Sequence, residues 1–384
     1  MLLITLWRKF FVDFVMVNIV YQCTCCNKII NKPPTPVWLC ECGKPLYVHY
    51  EWEGIIRDIL IDEKIESLWR YVSVLPKECL NENISLGEGY TPLISVSKNI
   101  FVKDETVNPT GSFKDRGMAM AITMAKIQNV KKICLPSAGN AGVSASAYCE
   151  AAGIDCFVFL PETIPEPFIN ETKRYNAELV LNGKTISEAA KTMIDHKKDD
   201  WFDISTLKEP FRVEGKKTLG YEIAEQFNWS LPDVIIYPTG GGTGLIGMWK
   251  AFKEMLGMGW ISGRLPRMVV VQSDGCSPVV NAFEIKQNKT EFWPNSDTIA
   301  LGLNVPGPLG GYLILDIISE SNGIAIKVPE SSLQIETEDF RKMTGIDASP
   351  EAGVVWSSYK TLLDSEWISN NEKVILFATG IERR

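Results

Sequence analysis

From about residue 99 onward, short apolar runs alternate with longer stretches of helical periodicity, and this alternation constrains the fold more than any other feature. Runs such as KKICLP, IDCFVFLP, RMVVVQSDG and KVILFATG have the length and composition of buried strands. Segments such as ISEAAKTMIDHKK, which lie between them, have the spacing of helices. Strands alternating with helices predict an α/β architecture with mainly parallel sheets covered on both faces.

The chain is long enough for a large core, and its charge limits the partners that it can have. Its 384 residues suffice for one large or two modest domains. The formal net charge is −8 and no basic stripe is present, which argues against nucleic acid as a partner. The composition is that of an ordinary globular protein, and we expect a cytoplasmic location.

The first 20 residues are apolar but are interrupted by Arg8, Lys9 and Asp13. This pattern is too broken for a membrane span, and it lacks the order of charge, apolar run and cleavage site that a signal peptide has. We interpret residues 1–15 as an extension upstream of a natural start at Met16. A short amphipathic docking segment is the alternative.

Five of the ten cysteines cluster in CTCCNKIINKPPTPVWLCECG. Cys23 and Cys26 are spaced C-x-x-C, and Cys40 and Cys42 are spaced C-x-C. Two short-spaced pairs suit a tetrahedral thiolate site for zinc on a small ribbon. Cys25 is an additional candidate ligand, and a ribbon that has lost its metal is the alternative.

The segment DVIIYPTGGGTGLIGMWKAFKEM predicts a strand, a glycine loop and a helix. Glycines allow backbone N–H groups to close around an anion, and the helix N-terminus adds positive potential. The loop lacks the Gly-Lys-Ser/Thr of a P-loop and the G-x-G-x-x-G of a dinucleotide site. We therefore predict a phosphate cup of another kind, with a plain tight turn as the alternative. The cup residues are Gly240, Gly241, Gly242, Thr243 and Gly244.

Lys114, in NPTGSFKDRG, stands at the first turn of an apolar predicted helix. The positive end of the helix dipole and burial both disfavour an ammonium group there, so both favour the neutral amine. A neutral amine is the form that Schiff-base chemistry requires. On position alone, a solvated surface lysine remains the commoner explanation.

Two further segments follow predicted strands and carry polar groups. In PSAGNAG, the residues Ser137, Gly139 and Asn140 offer donors for a carboxylate and for a phenolic oxygen, although simple helix capping is an alternative. Thr379 ends the strand of KVILFATG, where its hydroxyl can meet a ring nitrogen without protonating it. A lysine nucleophile, a phosphate cup, an anion loop and this hydroxyl together indicate pyridoxal phosphate.

At this point the chain resembles a known family. LGEGYTPL, VKDETVNPTGSFKDRG, PSAGNAGVSASAY, STLKEPFRVEGKKTLGYEIAEQF and YPTGGGTGLIGMWKAF are similar to motifs of the threonine synthases, over about residues 86–310. These are fold-type II pyridoxal-phosphate enzymes, similar to the tryptophan synthase β subunit, with two α/β lobes. The resemblance implies that Lys114 bonds covalently to the cofactor, Asn140 meets its phenolic oxygen, residues 240–244 hold its phosphate, and Thr379 meets its ring nitrogen.

The resemblance also divides the chain. We predict a ribbon-like module and connector over residues 16–85 and a catalytic domain over residues 86–384, with a smaller mobile lobe at about residues 130–210. The family usually continues T-G-x-G and then a lysine after the last strand, whereas this chain has ATGIERR. Part of the wall beyond Thr379 is therefore in doubt. The oligomeric state stays open, with a homodimer as one option.

The activity that the resemblance implies is conversion of O-phospho-L-homoserine and water to L-threonine and phosphate. The leaving phosphate needs cations, and we select Lys208 and Arg212, with Lys216 and Lys217 in reserve; a solvated helix edge is the alternative. Two rival hypotheses remain, a relative acting on another phosphorylated amino acid, such as a cysteate synthase, and an inactive sensor that binds a ligand.

Overall fold

The computed structural model describes residues 19–31, 33–51 and 57–383, apart from the side chains of residues 58 and 59. The predicted extension over residues 1–15 lies outside this part of the chain. The described residues form three sheets. Their strands are β1 (Ile19–Cys23), β2 (Ile29–Ile30), β3 (Leu46–Tyr50), β4 (Leu93–Ser95), β5 (Ile100–Asp104), β6 (Lys132–Pro136), β7 (Asp155–Leu160), β8 (Glu178–Leu181), β9 (Phe202–Asp203), β10 (Val234–Pro238), β11 (Arg267–Ser273), β12 (Ile324–Val328) and β13 (Val374–Ala378).

The two larger sheets are almost wholly parallel. The six-stranded sheet has the order β12-β11-β10-β13-β5-β4, and β4 alone pairs antiparallel with its neighbour. The four-stranded sheet has the order β8-β7-β6-β9 with parallel pairs throughout. The α/β architecture predicted from the sequence, with two parallel-sheet lobes, is confirmed.

Helices follow most of these strands. Besides one turn at Arg57–Leu60 and short 3₁₀ turns, they are α1 (Lys114–Ile127), α2 (Asn140–Ala152), α3 (Glu166–Arg174), α4 (Ile186–His196), α5 (Phe211–Gln226), α6 (Thr243–Gly257), α7 (Pro278–Glu284), α8 (Gly311–Glu320), α9 (Leu333–Thr344) and α10 (Pro350–Asp364). Helix α2 ends at Gly153, whose φ of +69° is the left-handed conformation that a glycine C-cap adopts readily.

The core lies between the sheets and their helices. Val234, Ile235 and Ile236 of β10 are fully buried, as the unbroken apolar run of a central parallel strand predicts. On α6, the apolar face is buried from Leu245 through Phe252. Leu256, in the last turn of the same helix, is 43% exposed.

A buried ion network fixes the start of α1. Arg116 of α1 contacts Glu105 at 2.6 Å and Glu222 of α5 at 2.7 Å, and all three side chains are fully buried. Lys103 of β5 pairs with the same Glu222 at 2.5 Å. Two cations and two carboxylates therefore neutralise one another, which a buried charge requires. The network ties α1 to α5 and to the end of β5.

The N-terminal module is a small antiparallel sheet of order β2-β1-β3 that packs on the rest of the chain. Nε1 of Trp38 donates a 3.0 Å hydrogen bond to the carbonyl of Asp203. The backbone N–H of Val37 donates to Gln128 at 3.0 Å. Within the described part of the chain, every helix is too short or too polar to cross a membrane.

Candidate active site

The carboxyl ends of β5, β6, β10 and β13 lead into segments that border one cavity of about 860 Å³. Ligand sites of open α/β sheets form at this end because the strands there pass into loops and helix N-termini. The cavity is lined by every predicted cofactor-binding and substrate-binding residue. These residues are Lys114, Ser137, Gly139, Asn140, Lys208, Arg212, Gly240, Gly241, Gly242, Thr243, Gly244 and Thr379.

Lys114 is the first residue of α1, and its Nζ lies 4.1 Å from the centroid of the Phe113 ring. Burial, together with the nearby Arg212 cation, lowers the pKa of Lys114 to about 8, while Glu351 acts in the opposite direction. A large fraction of the amine is therefore neutral near pH 8. This is the property that a nucleophilic lysine needs.

The turn before Lys114 is held by the next residue along the chain. The carboxylate of Asp115 accepts the backbone N–H of Thr110 at 2.7 Å and the hydroxyl of Ser144, on α2, at 2.6 Å. Asp115 is fully buried, and burial raises its pKa to about 6. These contacts hold the start of α1 in place relative to α2, and so fix the position of Lys114, the first residue of α1.

Glu351 was not among the residues selected from the sequence. It stands in the first turn of α10, is 7% exposed, and accepts the backbone N–H of Gly302 at 2.6 Å. Among the groups that shift the pKa of Lys114, it is the one carboxylate, and it raises that pKa. An acidic residue in a first helical turn is ordinary, so the sequence carries no signal for this role.

The glycine cup is shaped by close backbone approaches. Gly242 has a φ of +75°, and a Cβ there would come 2.4 Å from Cδ1 of Ile314. A Cβ on Gly244 would come 1.9 Å from Oη of Tyr237, a buried hydroxyl without a partner among the described residues. Side chains are thus excluded at Gly242 and Gly244, and the backbone N–H groups of the cup stand at the start of α6, where an anion is favoured.

Behind the cup lies Lys216, which does not line the cavity but donates a 2.6 Å hydrogen bond from Nζ to Oγ1 of Thr243. Burial holds the pKa of Lys216 well below its usual value, with Arg212 and Lys114 adding to the effect. Among the described residues it forms no ion pair. Burial thus disfavours the charged form of Lys216, and a phosphate group in the glycine cup would favour it, so the amine and the cup are an electrostatic fit for phosphate.

The other three candidate cations have different surroundings. Arg212 is 2% exposed; its Nη1 donates to the carbonyl of Ile204 at 2.8 Å, and its Nε has no partner among the described residues. Lys208 pairs with Asp203 at 2.8 Å and is 26% exposed. Of the two selected first, Arg212 is the more deeply buried and has no carboxylate contact of this kind.

Lys217 is directed away from the cavity. Its Nζ contacts Glu214 at 2.9 Å and Glu254 at 3.0 Å, in a buried cluster beneath the N-terminal sheet. Lys216 and Lys217 are neighbours in sequence, but they face opposite environments. The alternative of a solvated helix edge does not describe Arg212, Lys216 or Lys217, all of which are buried.

The loop at residues 137–139 forms the N-terminus of α2. Oγ of Ser137 accepts the N–H groups of Gly142 at 2.8 Å and Gly139 at 3.1 Å, so this side chain caps the helix. Gly139 has a φ of +126°, and a Cβ on it would come 2.7 Å from the ring of Phe168. Ser137 therefore caps α2, and residues 137–139 also line the cavity.

Thr379 and the residues after it close another wall. The carbonyl of Thr379 accepts the N–H of Phe113 at 3.0 Å. Beyond it, residues 380–383, which we call the closing strap, run between two segments of the cavity wall. Bridges join Gly380 to Ser112 on one side and Ile381 to Ala348 on the other. The wall that the unusual ATGIERR sequence put in doubt is thus formed by the strap.

The four predicted zinc ligands meet in the N-terminal module. The Sγ atoms of Cys23, Cys26, Cys40 and Cys42 all lie within 4.8 Å of one another. Cys23 and Cys42 are separated by 3.4 Å, and Cys26 and Cys40 by 3.7 Å, whereas Cys25 is exposed and outside the cluster. A tetrahedral Zn–S bond of about 2.3 Å requires sulfur atoms roughly 3.8 Å apart.

Comparison with known proteins gives one family. The family model described as pyridoxal-phosphate dependent enzyme matches residues 84–380. A threonine synthase of Methanocaldococcus jannaschii is 31% identical over 372 residues, covering 94% of this chain and 91% of the relative. A threonine synthase of Methanosarcina acetivorans is 28% identical, with coverage of 94% and 90%. These matches confirm the resemblance seen in the sequence.

Solved structures show the same fold. An L-serine ammonia-lyase from the fungus Rhizomucor miehei matches with a TM-score of 0.67 and 19% identity, covering 76% of this chain and 94% of that one. The processed form of threonine deaminase isoform 2 from Solanum lycopersicum matches with a TM-score of 0.64 and 19% identity, covering 86% and 95%. At this identity the likeness concerns the fold alone.

Proposed function

Since this chain belongs to the family of pyridoxal-phosphate dependent enzymes, we propose that it converts O-phospho-L-homoserine and water to L-threonine and phosphate. The relatives named threonine synthase, which match over most of the chain, support this activity within the family. The observation that carries the proposal is Arg212, a buried cavity-lining arginine whose guanidinium forms no ion pair among the described residues, in addition to Lys216 behind the glycine cup.

The residues of the cavity fit pyridoxal phosphate. The glycine cup at the start of α6 suits its phosphate. The hydroxyl of Tyr237 and the amine of Lys216, neither of which has an anionic partner among the described residues, are groups that a phosphate would satisfy. Asn140 and Thr379 would hold the phenolic oxygen and the ring nitrogen. When bound, the cofactor supplies an aldehyde carbon for an amine and a ring that withdraws electrons from bonds at the substrate's Cα.

Lys114 would act in turn as nucleophile and as proton carrier. Its Nζ would hold the aldehyde carbon of the cofactor and, once the substrate amine took that place, would be free to accept protons from Cα and Cβ of the substrate and to return protons to Cγ and Cα. In the overall reaction the bond from Cγ to the phosphate oxygen breaks, a bond from Cβ to the water oxygen forms, and the proton that water loses goes to the departing phosphate. The lowered pKa of Lys114 supports this role, because a base must be unprotonated to accept a proton.

Two anionic groups of the substrate need separate partners. We assign the departing phosphate to Arg212, with Lys208 as a weaker partner because Asp203 already pairs with it. We assign the carboxylate to the loop at residues 137–139, which stands at the N-terminus of α2. Both sites border the cavity that Lys114 enters, so a substrate with two anionic ends could span them.

We also propose that Cys23, Cys26, Cys40 and Cys42 bind one structural zinc ion. The mutual distances of their sulfur atoms support this assignment. Nothing in the proposed reaction requires a metal, so zinc would stabilise the module over residues 16–85 and not the chemistry. The short ribbon between Cys23 and Cys42 builds too small a core of its own, and zinc would supply the missing link.

The test is release of inorganic phosphate from O-phospho-L-homoserine by the purified protein loaded with pyridoxal phosphate. Phosphate and L-threonine should appear in equal amounts, and a Lys114→Ala variant should produce neither. Phosphate release from phosphoserine in the presence of sulfite, but not from phosphohomoserine, would support the cysteate synthase alternative. Cofactor binding without turnover of either substrate would support the ligand sensor.

A further inference from the structure

Arg383, in the closing strap, reaches back to the cavity wall. Its Nε donates a 3.1 Å hydrogen bond to Oδ1 of Asn140, and its Nη2 donates to the carbonyl of Thr110. The guanidinium carbon lies 5.5 Å from the centroid of the Phe168 ring. Among the described residues, Arg383 forms no ion pair with a carboxylate. Its fixed partners are thus two oxygen acceptors and an aromatic face.

The contact with Asn140 decides which way the amide group faces. A guanidinium has only N–H donors, so the amide must present Oδ1 to it and must turn Nδ2 the other way. In that orientation Nδ2 lies beside Gly380, where a Cβ would come 3.2 Å from it. Among the described residues, Nδ2 has no hydrogen-bond acceptor. Gly380 directly follows Thr379, the predicted partner of the cofactor ring.

We propose that Arg383 is a positioning residue that fixes the Asn140 amide so that Nδ2 donates a hydrogen bond to the phenolic oxygen of pyridoxal phosphate. The inference rests on the proposed function for the identity of the cofactor, but it does not depend on the substrate. An ionised phenolic oxygen accepts hydrogen bonds only, and an amide with the opposite orientation would present an oxygen to it.

The glycine cup contains a second example of the same arrangement. Nζ of Lys216 donates to Oγ1 of Thr243, and in the protonated form, which an anion in the cup would favour, Lys216 has donors only. The hydroxyl accepts from the lysine and therefore keeps its own hydrogen for an acceptor on the other side. Two basic residues, Lys216 behind the cavity wall and Arg383 in the strap that forms part of it, would thus each orient a neutral side chain as a donor toward an anionic cofactor.

The experiment compares cofactor binding by the parent, Arg383→Met and Arg383→Lys, without substrate. Equilibrium dialysis gives the dissociation constant of pyridoxal phosphate, and absorbance gives the ratio of the ionised, longer-wavelength form to the protonated, shorter-wavelength form. Arg383→Met should weaken binding about 10-fold, the loss of one hydrogen bond to a charged group, and should shift absorbance toward the shorter-wavelength band. Arg383→Lys keeps a cation that has only donors, so it should retain part of the cofactor affinity and part of the longer-wavelength band.

A matched control lies one residue away in the strap. Glu382→Gln removes the 2.6 Å ion pair with Arg341 that also holds the strap, but leaves Arg383 in place. We expect this variant to keep the parent's band ratio and cofactor affinity. If it shows the same spectral shift as Arg383→Met, the effect comes from a loosened strap and the proposal is overturned.

A double-mutant cycle tests whether Arg383 acts through Asn140. In an Asn140→Ala background, Arg383→Met should change neither the band ratio nor the dissociation constant further, because the amide that it orients is gone. Full additivity would overturn the proposal, as would a parent-like spectrum in Arg383→Met. A protein that binds no pyridoxal phosphate at all would refute the proposed function instead, so the two failures are distinguishable.

Discussion

Nζ of Lys216 lies 2.6 Å from Oγ1 of Thr243, although 27 residues separate them in the sequence. The lysine is fully buried behind the glycine cup and forms no ion pair among the described residues. Burial holds the pKa of Lys216 well below its usual value, so its charged form is disfavoured unless an anion lies nearby. The relationship supports our proposal that a phosphate group completes the cup.

Lys216→Met should weaken the binding of pyridoxal phosphate roughly 10-fold or more, because a charge-assisted interaction near the phosphate is lost. The cofactor-free protein should not become less stable, since the variant removes a buried charge without an ion-pair partner. Equilibrium dialysis and thermal unfolding measure the two quantities. Lys217→Met is the matched control: it breaks contacts to Glu214 and Glu254, so it should lower stability and leave cofactor affinity unchanged. The opposite pattern would assign the phosphate to Lys217.

The rate at which cofactor-free protein reacts with pyridoxal phosphate should rise with pH and reach half its maximum near pH 8. The reason is that only the neutral amine attacks, and burial lowers the pKa of Lys114 to about 8. Arg212→Leu should move the midpoint up, because Arg212 lowers this pKa, and Glu351→Gln should move it down, because Glu351 raises it. A parent midpoint near the usual lysine value would contradict the description of the site.

Arg212→Ala should raise KM for O-phospho-L-homoserine far more than it alters cofactor affinity. A charged hydrogen bond to phosphate contributes roughly 1.5–3 kcal/mol, which corresponds to a loss of about 10- to 150-fold in kcat/KM. Both proteins should be assayed well above pH 8, because Lys114 is then neutral in the parent and in Arg212→Ala. Lys208→Ala should cost less, since Lys208 is partly exposed and paired with Asp203. Inorganic phosphate should inhibit the parent competitively and Arg212→Ala weakly; equal inhibition constants would remove Arg212 from the phosphate site.

Thr379→Asp should damage catalysis more than cofactor binding. A carboxylate would stabilise the protonated form of the ring nitrogen, strengthen the electron sink and favour by-products of transamination. Product analysis by chromatography detects these by-products, and equilibrium dialysis measures the retained cofactor affinity. Thr379→Ser is the conservative control that keeps a hydroxyl. Normal turnover without by-products in the aspartate variant would show that the hydroxyl does not meet the ring.

Removal of zinc should loosen residues 20–50 and leave the chemistry in place. Elemental analysis should find about one zinc ion per chain, the number that a four-thiolate site holds. Chelation should accelerate proteolysis in the module while cofactor absorbance persists. Cys42→Ser should lose the metal, whereas Cys25→Ser, outside the cluster, should retain it. Loss of the cofactor band on chelation would show that the module supports the active site, for instance through the contact of Trp38 with Asp203.

Much of this molecule was determined by local sequence patterns. Alternating strand and helix signals gave the parallel α/β architecture, because backbone pairing and apolar periodicity act over short stretches. The glycine loop before α6 and the lysine that begins α1 are equally local, and the resemblance to a family gave their roles. The predicted cofactor and substrate residues then border one cavity because the strands before them end at the same edges of the two sheets.

Tertiary packing alone decided which charges serve the cavity. Successive helical residues point about 100° apart, so the sequence predicts that Lys216 and Lys217 diverge but not which of them faces the cup. Glu351 raises the pKa of Lys114, and Arg383 donates a hydrogen bond to Asn140, although more than two hundred residues separate the two members of each pair. Such contacts depend on how finished elements pack against one another, and no local pattern encodes that packing. The sequence therefore determined the elements and their chemistry, and the tertiary structure determined the partners that tune them.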